Sequence, residues 1–461
     1  MSALTPAPAE WWRPERVSED HLAKGVPPPR APEAAGGPST PAFRALLTFT
    51  FINILAPQQW VPPLRPLRIA LIAAVTGIAV HLVHRYRLGR PLSVWGREMA
   101  LLAALVAWAV VTVPFSYWPG GSVSLLTEMY FKAVAIFWLL ANCVDSLGRL
   151  RTLVWSLTGM SVVLVLTAVK NFLSGESIGQ GRISGYEAAL TANPNDLALM
   201  LNILLPIAAG LLAGSRGHVR AILLSIIALQ AAGVIVTFSR GGFLGLVTTL
   251  AIYALRLAWR GKALRVGAAL VASLALLPFL PNGYVERLAT ITDIDSDPTG
   301  SAQVRWGDNQ AAVDFVQANP LTGAGVGMDA LALNEMRGNS WVHVHNVYLQ
   351  FAVDLGAPGL VLFVMLLLAC LKHMRRIRRS APAGSAGAEM APLAEGIEIA
   401  LVAYAVGGFF GPTAYHFYFY YVAGLAVAAG EIHRRIAAAE GDGAPGTLDA
   451  PAVPILHGRM A

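Results

Sequence analysis

The sequence predicts an all-α, polytopic integral membrane protein with about twelve transmembrane helices, on three observations. Hydrophobic residues fill 55% of the 461 positions and charged ones only 13%, too little polar surface to coat a soluble protein of this size. Twelve apolar stretches alternate with polar loops. Lys and Arg concentrate in every second loop, the asymmetry that orients membrane spans.

The spans cover approximately 43–57, 66–83, 98–114, 125–142, 152–170, 197–214, 221–238, 241–256, 264–280, 349–371, 396–411 and 414–430. Several fall short of the roughly 20 residues that cross a full hydrocarbon core, so span 1 and the 11/12 pair admit a re-entrant reading. Spans 7 and 8 divide at Ser239-Arg240-Gly241-Gly242, because together they are too long for one crossing at a rise of about 1.5 Å per residue.

Charge orients the set. Arg85, Arg87, Arg90 and Arg97 follow span 2, Arg149 and Arg151 span 4, and Arg216 and Arg220 span 6. Arg256, Arg260, Lys262 and Arg265 follow span 8, a run from Lys372 to Arg379 follows span 10, and Arg434 and Arg435 follow span 12. Every even-numbered exit is basic, which puts both termini in the cytoplasm. Arg65 and Arg68 break the pattern on the first outer loop, as interfacial anchors or as ligand contacts.

The net charge of +7 therefore points to anionic lipid headgroups and not to nucleic acid. Residues 1–42 are rich in Pro, Ala and Gly and lack an early apolar core, which predicts a disordered cytoplasmic tail and not a cleaved signal. Residues 431–461 read as a second cytoplasmic tail, leaving 43–430 as the membrane domain. Cys143 and Cys370 supply neither a disulfide framework nor a metal cluster.

Two outer loops stand out. One runs from Asn171 to about Asp196. The other, 281–348, carries eight acidic residues against Arg287, Arg305 and Arg337, the opposite balance to the inner loops. A structureless run of that length is uncommon. Val304, Ala311, Ala312 and Phe315 recur at helical spacing until Asn319-Pro320, which predicts an amphipathic helix across the outer face. The glycine-rich segment from Leu321 to Gly327 is expected to be mobile.

Arg240, Arg182, Arg305 and His345 all fall on this outer side. Arg240 lies between two nearly uncharged spans, where an arginine is either a snorkelling anchor or a functional group, and its fork suits a diphosphate oxygen pair. The following glycines allow a tight turn and close approach. Arg182 precedes Asn193-Pro-Asn-Asp196, whose side chains either cap span 6 or bind substrate. Arg305 has Asp308 three residues away, so a local ion pair competes with a ligand role.

In Trp341-Val-His-Val-His-Asn-Val-Tyr348, His343 and His345 stand just before span 10. No third ligand at zinc spacing accompanies them. Histidine beside Asn346 suits proton transfer to or from a hydroxyl, against the alternative of a satisfied structural histidine. Asp293, Asp295 and Asp297 read as a solvated acidic turn, because they lack a full calcium-loop pattern.

The combination resembles the O-antigen ligase and polymerase superfamily of bacterial envelope glycan enzymes. The resemblance rests on Gly181-Arg-Ile-Ser-Gly with Asn193-Pro-Asn, then Thr237-Phe-Ser-Arg-Gly-Gly242, then Arg305-Trp306 before Asn319-Pro-Leu-Thr-Gly-Ala-Gly325. His343-Val-His-Asn-Val-Tyr-Leu349 leading into Leu355-Gly-Ala-Pro-Gly359 completes it. It covers roughly residues 43–430 and implies a GT-C-like membrane glycosyltransferase. Such an enzyme takes a glycan from undecaprenyl diphosphate at the periplasmic face of the inner membrane.

The implied site is catalytic His345 and Arg240, with Arg182, Arg305, His343, Asn346 and Asn193 as substrate contacts and no cofactor or metal. The implied partners are the lipid-linked donor, a lipid A–core or other glycan acceptor, and other envelope polysaccharide assembly proteins. Ligase, polymerase and protein O-oligosaccharyltransferase activities all fit this resemblance. The apolar architecture alone also fits a lipid or solute transporter, although the polar groups gather on one outer surface and not at the membrane midplane.

Overall fold

The computed structural model describes residues 39–441 apart from 179–180, 187, 189, 276–277, 279, 282, 292–299, 338–340 and 381–384. The acidic turn at Asp293, Asp295 and Asp297 lies outside the described residues, as does most of each tail. The described chain is helical throughout, with one isolated bridge between Ile178 and Arg182 in place of any sheet.

The helices along the chain are α1 (Thr40–Leu55), α2 (Ile69–Arg87), α3 (Arg97–Val111) and α4 (Pro119–Cys143). Next come α5 (Leu147–Leu173), α6 (Pro194–Leu212), α7 (Gly217–Val236), α8 (Arg240–Trp259) and α9 (Ala263–Ala275). The long loop contributes α10 (Ser301–Ala318) and α11 (Asp329–Arg337); α12 (Val347–Arg379), α13 (Ser385–Gly407) and α14 (Phe417–Gly441) follow. Among the described residues, nine helices are long and apolar enough to cross a membrane, so the fold is an all-α polytopic one. Spans 7 and 8 are separate helices, and the outer helix expected around 304–315 is α10.

Helix α14 is absent from those nine, and its packing shows why. Tyr418, Tyr420 and Tyr421 lower its hydropathy, yet all are buried, together with Val422 to Ala429. It faces protein and not lipid, so it does not need a lipid-like surface. It continues through 431–441, into the segment that composition assigned to the tail.

Ion pairs gather at one end of the bundle. Glu398, nearly fully buried, meets Arg256 at 2.9 Å, Arg375 at 3.0 Å and Arg378 at 2.9 Å. Glu395 meets Arg256 and Arg260, and Asp145 meets Arg149 and Arg435. The basic exits of four helices thus neutralise carboxylates that hydropathy alone hides.

The opposite end is organised by a break in α12. Gly356 has φ 67° and ψ −173°, and Pro358 follows. An unbroken helix would bond the Ala357 amide to the Val353 carbonyl, whereas Pro358 has no amide for Asp354. Here Ala357 donates to the Pro320 carbonyl at 2.8 Å. The Val353 carbonyl accepts from Ala324 at 2.7 Å, that of Asp354 from Gly325 at 2.9 Å, and that of Leu355 from Trp108 Nε1 at 2.8 Å. These three carbonyls each find a donor outside the helix, as a low-dielectric interior requires.

The segment from Leu321 to Gly327, expected to be mobile, is therefore docked. Ala324 and Val326 are fully buried. A Cβ on Gly323 would collide with the α12 backbone, so glycine is needed there for close approach as well as for its φ of +65°.

Candidate functional site

Arg240 is fixed at the loop end of α8 by its own helix start. Ser239 caps α8, its Oγ accepting from the Gly242 amide at 3.1 Å while donating to Asn195 Oδ1 at 2.8 Å. The turn into the cap is made by Phe238 at φ 53°, whose carbonyl accepts from Arg287 Nε at 2.8 Å. Gly241 and Gly242 are helical. Their value is close packing and not turn formation: a Cβ on Gly241 would lie 2.6 Å from Phe410 Cβ, and one on Gly242 2.5 Å from Ala198 Cβ. Two guanidinium nitrogens of Arg240 donate to hydroxyls, Nη1 to Thr290 and Nη2 to Ser301, both at 2.8 Å. The fork is held by two elements of the long loop.

Arg240, Arg305 and His345 line one cleft of about 200 Å³, together with Thr290, Trp306 and Phe410. Arg305 comes from α10, Arg240 from α8 and His345 from the link into α12. Asp308, the competing partner for Arg305, is instead bound at 2.6 Å by Arg337, and both members of that pair are buried. His345 is half-buried, and its Nδ1 meets no hydrogen-bond partner among the described residues. Burial, then the Arg305 charge, pull its pKa down to about 4, so the ring is neutral near pH 7.

Arg182 does not line this cleft. Its backbone pairs with Ile178, and the Asn171 side chain donates to the carbonyls of Ser184 and Gly185, both at 3.0 Å. Burial and then the Arg240 charge lower its pKa, although an arginine stays charged.

The two histidines serve different groups. His343, with its side chain about half exposed, holds Asp329 Oδ1 through Nδ1 at 2.7 Å, and the Val344 amide donates to Asp329 Oδ2 at 2.8 Å. The Asp329 hydrogen bond raises the His343 pKa against the opposing effect of burial. Asn346 and Asn193 both act as helix caps. Asn346 Oδ1 accepts from Tyr348 and Leu349 at 3.0 and 3.3 Å, and Asn193 Oδ1 accepts from Asn195 at 2.9 Å. Neither lines the arginine cleft.

Thr290 lines the cleft and Ser301 holds Arg240, although residue type and spacing singled out neither; Trp306 lines it too and had entered only beside Arg305, while Asp329 stands outside it, holding His343. The only cue to Asp329 was its position after a glycine-rich run. Among the described residues no group of three His, Cys, Asp or Glu side chains is placed to hold a metal.

Residues 223–364, from within α7 to the middle of α12, match the family described as O-antigen ligase. That segment, just under a third of the chain, is what the protein has in common with the O-antigen ligase family. The ligase-family segment contains Arg240, Arg305, Asp329, His343 and His345, and stops short of Arg182, Asn193 and the first outer loop. The family supports a membrane enzyme of glycan transfer, of ligase or polymerase type. No curated protein matches the chain.

Proposed function

We propose that this protein transfers a glycan from undecaprenyl diphosphate to a glycan acceptor at the periplasmic face of the bacterial inner membrane, in the manner of an O-antigen ligase. The observation that carries the reading is the cleft in which Arg240, Arg305 and His345 meet, with Arg182 electrostatically coupled to Arg240. In the reaction, an acceptor hydroxyl oxygen bonds to the anomeric carbon as the bond from that carbon to the diphosphate oxygen breaks. Undecaprenyl diphosphate leaves with the electron pair, and the hydroxyl proton passes to His345.

Negative charge grows on the leaving diphosphate, where fixed guanidinium groups stabilise it most. A neutral imidazole suits the base, but one with a pKa near 4 is a weak base. Burial is the larger cause of that low value, and the Arg305 charge the second; an anionic donor beside Arg305 offsets the second and so raises the affinity of His345 for the proton. Base strength is thereby coupled to donor binding. A single displacement of this kind inverts the anomeric configuration.

The test is incubation of the purified protein with defined lipid-linked repeats and either lipid A–core or a second lipid-linked repeat, with products analysed by mass. Glycosylated lipid A–core is expected. Elongated repeats without it would make the enzyme a polymerase, and substrate movement in proteoliposomes without covalent transfer would make it a transporter. Turnover should persist in EDTA, since arginines and not a divalent ion handle the diphosphate; its abolition by EDTA and recovery with added metal would overturn that point.

A further inference from the structure

The loop end holds a second polar cavity, well separated in sequence from the arginine cleft. A groove of about 410 Å³ is lined by Arg65, Arg68, Thr127, Glu128 and Lys132. These are the two arginines that break the charge rule of the outer loops. Gly77 of α2 packs against Leu139 of α4, and His81 packs against Trp138. The two helices run in the same direction, so eight residues outward along α2 lies Ile69, and about the same distance outward along α4 lies Lys132. Lys132 therefore stands level with the mouth of the first loop, and the first part of α4 rises above it.

Two local distortions shape the groove. Residues Leu126–Tyr130 form a π-helical turn, which resets the register of α4 where Thr127 and Glu128 meet the cavity. Arg68 starts α2 in the left-handed region at φ 45°, a conformation that a side chain with a Cβ rarely adopts. An arginine that merely snorkelled to the interface would need neither distortion, nor a lysine facing it from another helix.

The groove continues towards the reaction centre. A further cavity of about 190 Å³ shares Glu128 and Lys132 with it and adds Asn53, Tyr415 and His416. Burial, and then the His343 charge, bring the His416 pKa down to about 4. His343 is two residues from His345, which faces the arginine cleft. His345 thus lines the arginine cleft, and His416 lines the cavity that joins the groove.

We infer that the groove of Arg65, Arg68, Lys132 and Glu128 is the docking site of the acceptor, which is a membrane-anchored glycolipid carrying a phosphate or carboxylate on its headgroup. This rests on the glycan-transfer reading given above. The three cations hold the anionic substituent, and Glu128 accepts hydrogen bonds from sugar hydroxyls. The acceptor chain then extends past His416 towards His345, while the donor diphosphate occupies the arginine cleft from the other side.

The test uses the full-length protein in zwitterionic nanodiscs, with a fluorescent glycolipid bearing phosphate monoesters, its dephosphorylated counterpart, and phosphatidylglycerol as competitor. The wild type should bind the phosphorylated probe about tenfold more tightly than the dephosphorylated one. Arg65→Gln with Arg68→Gly should erase that preference; glycine at 68 removes the charge while suiting the left-handed backbone. Lys132→Gln should weaken it and decides the matter if the double variant does not fold. Arg240→Ala should keep the preference. In transfer assays the double variant should raise the acceptor KM about tenfold and leave donor KM unchanged.

A preference that survives in both groove variants overturns the inference, as does one that vanishes in Arg240→Ala. Equal competition by phosphatidylglycerol also overturns it, since the groove would then be a general lipid contact. If no glycan is transferred but the binding results hold, the docking site stands and the transfer reading falls.

Discussion

At the scale of single residues, the site depends on geometry more than on charge. Arg240 reaches two hydroxyls with two nitrogens of one planar group, and lysine offers a single point charge in its place. Arg240→Lys is expected to lose roughly tenfold or more in turnover with normal membrane insertion, and Arg240→Ala to lose more. Equal steady-state rates in all three proteins would remove Arg240 from the diphosphate. For His345→Ala the expected loss in kcat is ~10²–10⁴-fold, the range for a positioned acid–base group.

His343→Ala should reduce kcat less than His345→Ala, because His343 is engaged by Asp329 and does not line the cleft. A selective defect in His343→Ala would move the base two residues upstream. The pH profile carries its own sign. In the free protein His345 is depressed to about 4, so its neutral, proton-accepting form predominates above that value. An anionic donor beside Arg305 is expected to raise it. The acid limb of kcat, which reports the bound enzyme, should therefore lie at higher pH than the acid limb of kcat/KM. Coincident limbs would dissociate His345 from the donor charge.

At the scale of elements, the decisive feature is the interrupted α12. Its break exchanges helix hydrogen bonds for bonds to the segment 320–325 and to Trp108, so a loop is welded to a membrane helix immediately below the histidines. Gly356→Ala is expected to lower stability by about 1–2 kcal/mol or more, since the new Cβ faces both a left-handed φ and the Leu321 carbonyl. Thermal unfolding in detergent reads this, and an unchanged midpoint would mean the loop is not locked to the helix. The expectation of a mobile segment came from glycine content. The same glycines instead admit backbone to backbone, a use of glycine that composition alone does not distinguish from flexibility.

At the scale of the whole molecule, the two ends of the bundle do different work. One end concentrates carboxylates and arginines from four helices; the other brings loops and half-buried cations around clefts. Glu398→Gln should strip a nearly buried carboxylate from Arg256, Arg375 and Arg378 and destabilise the protein by about 3 kcal/mol, with donor and acceptor KM preserved. Measured unfolding that matched the wild type would show the cluster to be solvated, and altered KM values would show the two ends to be coupled.

The order of the apolar helices, the division at Ser239-Arg240 and the outer helix α10 were determined by the sequence itself. Hydropathy and helical period act between residues a few places apart, so the chain records them locally. The family motifs likewise marked Arg240, Arg305 and His345 as a group. Their convergence in one cleft was decided by tertiary structure, as was the partner of each polar side chain. Asp308 passes over Arg305, three residues away, for Arg337, and His343 takes Asp329. Asn193 and Asn346, equally plausible as ligand contacts from type and position, became caps. Long side chains have several partners within reach along the chain. Which one is taken depends on distant segments arriving at the same place with the right burial, and local sequence carries no record of that.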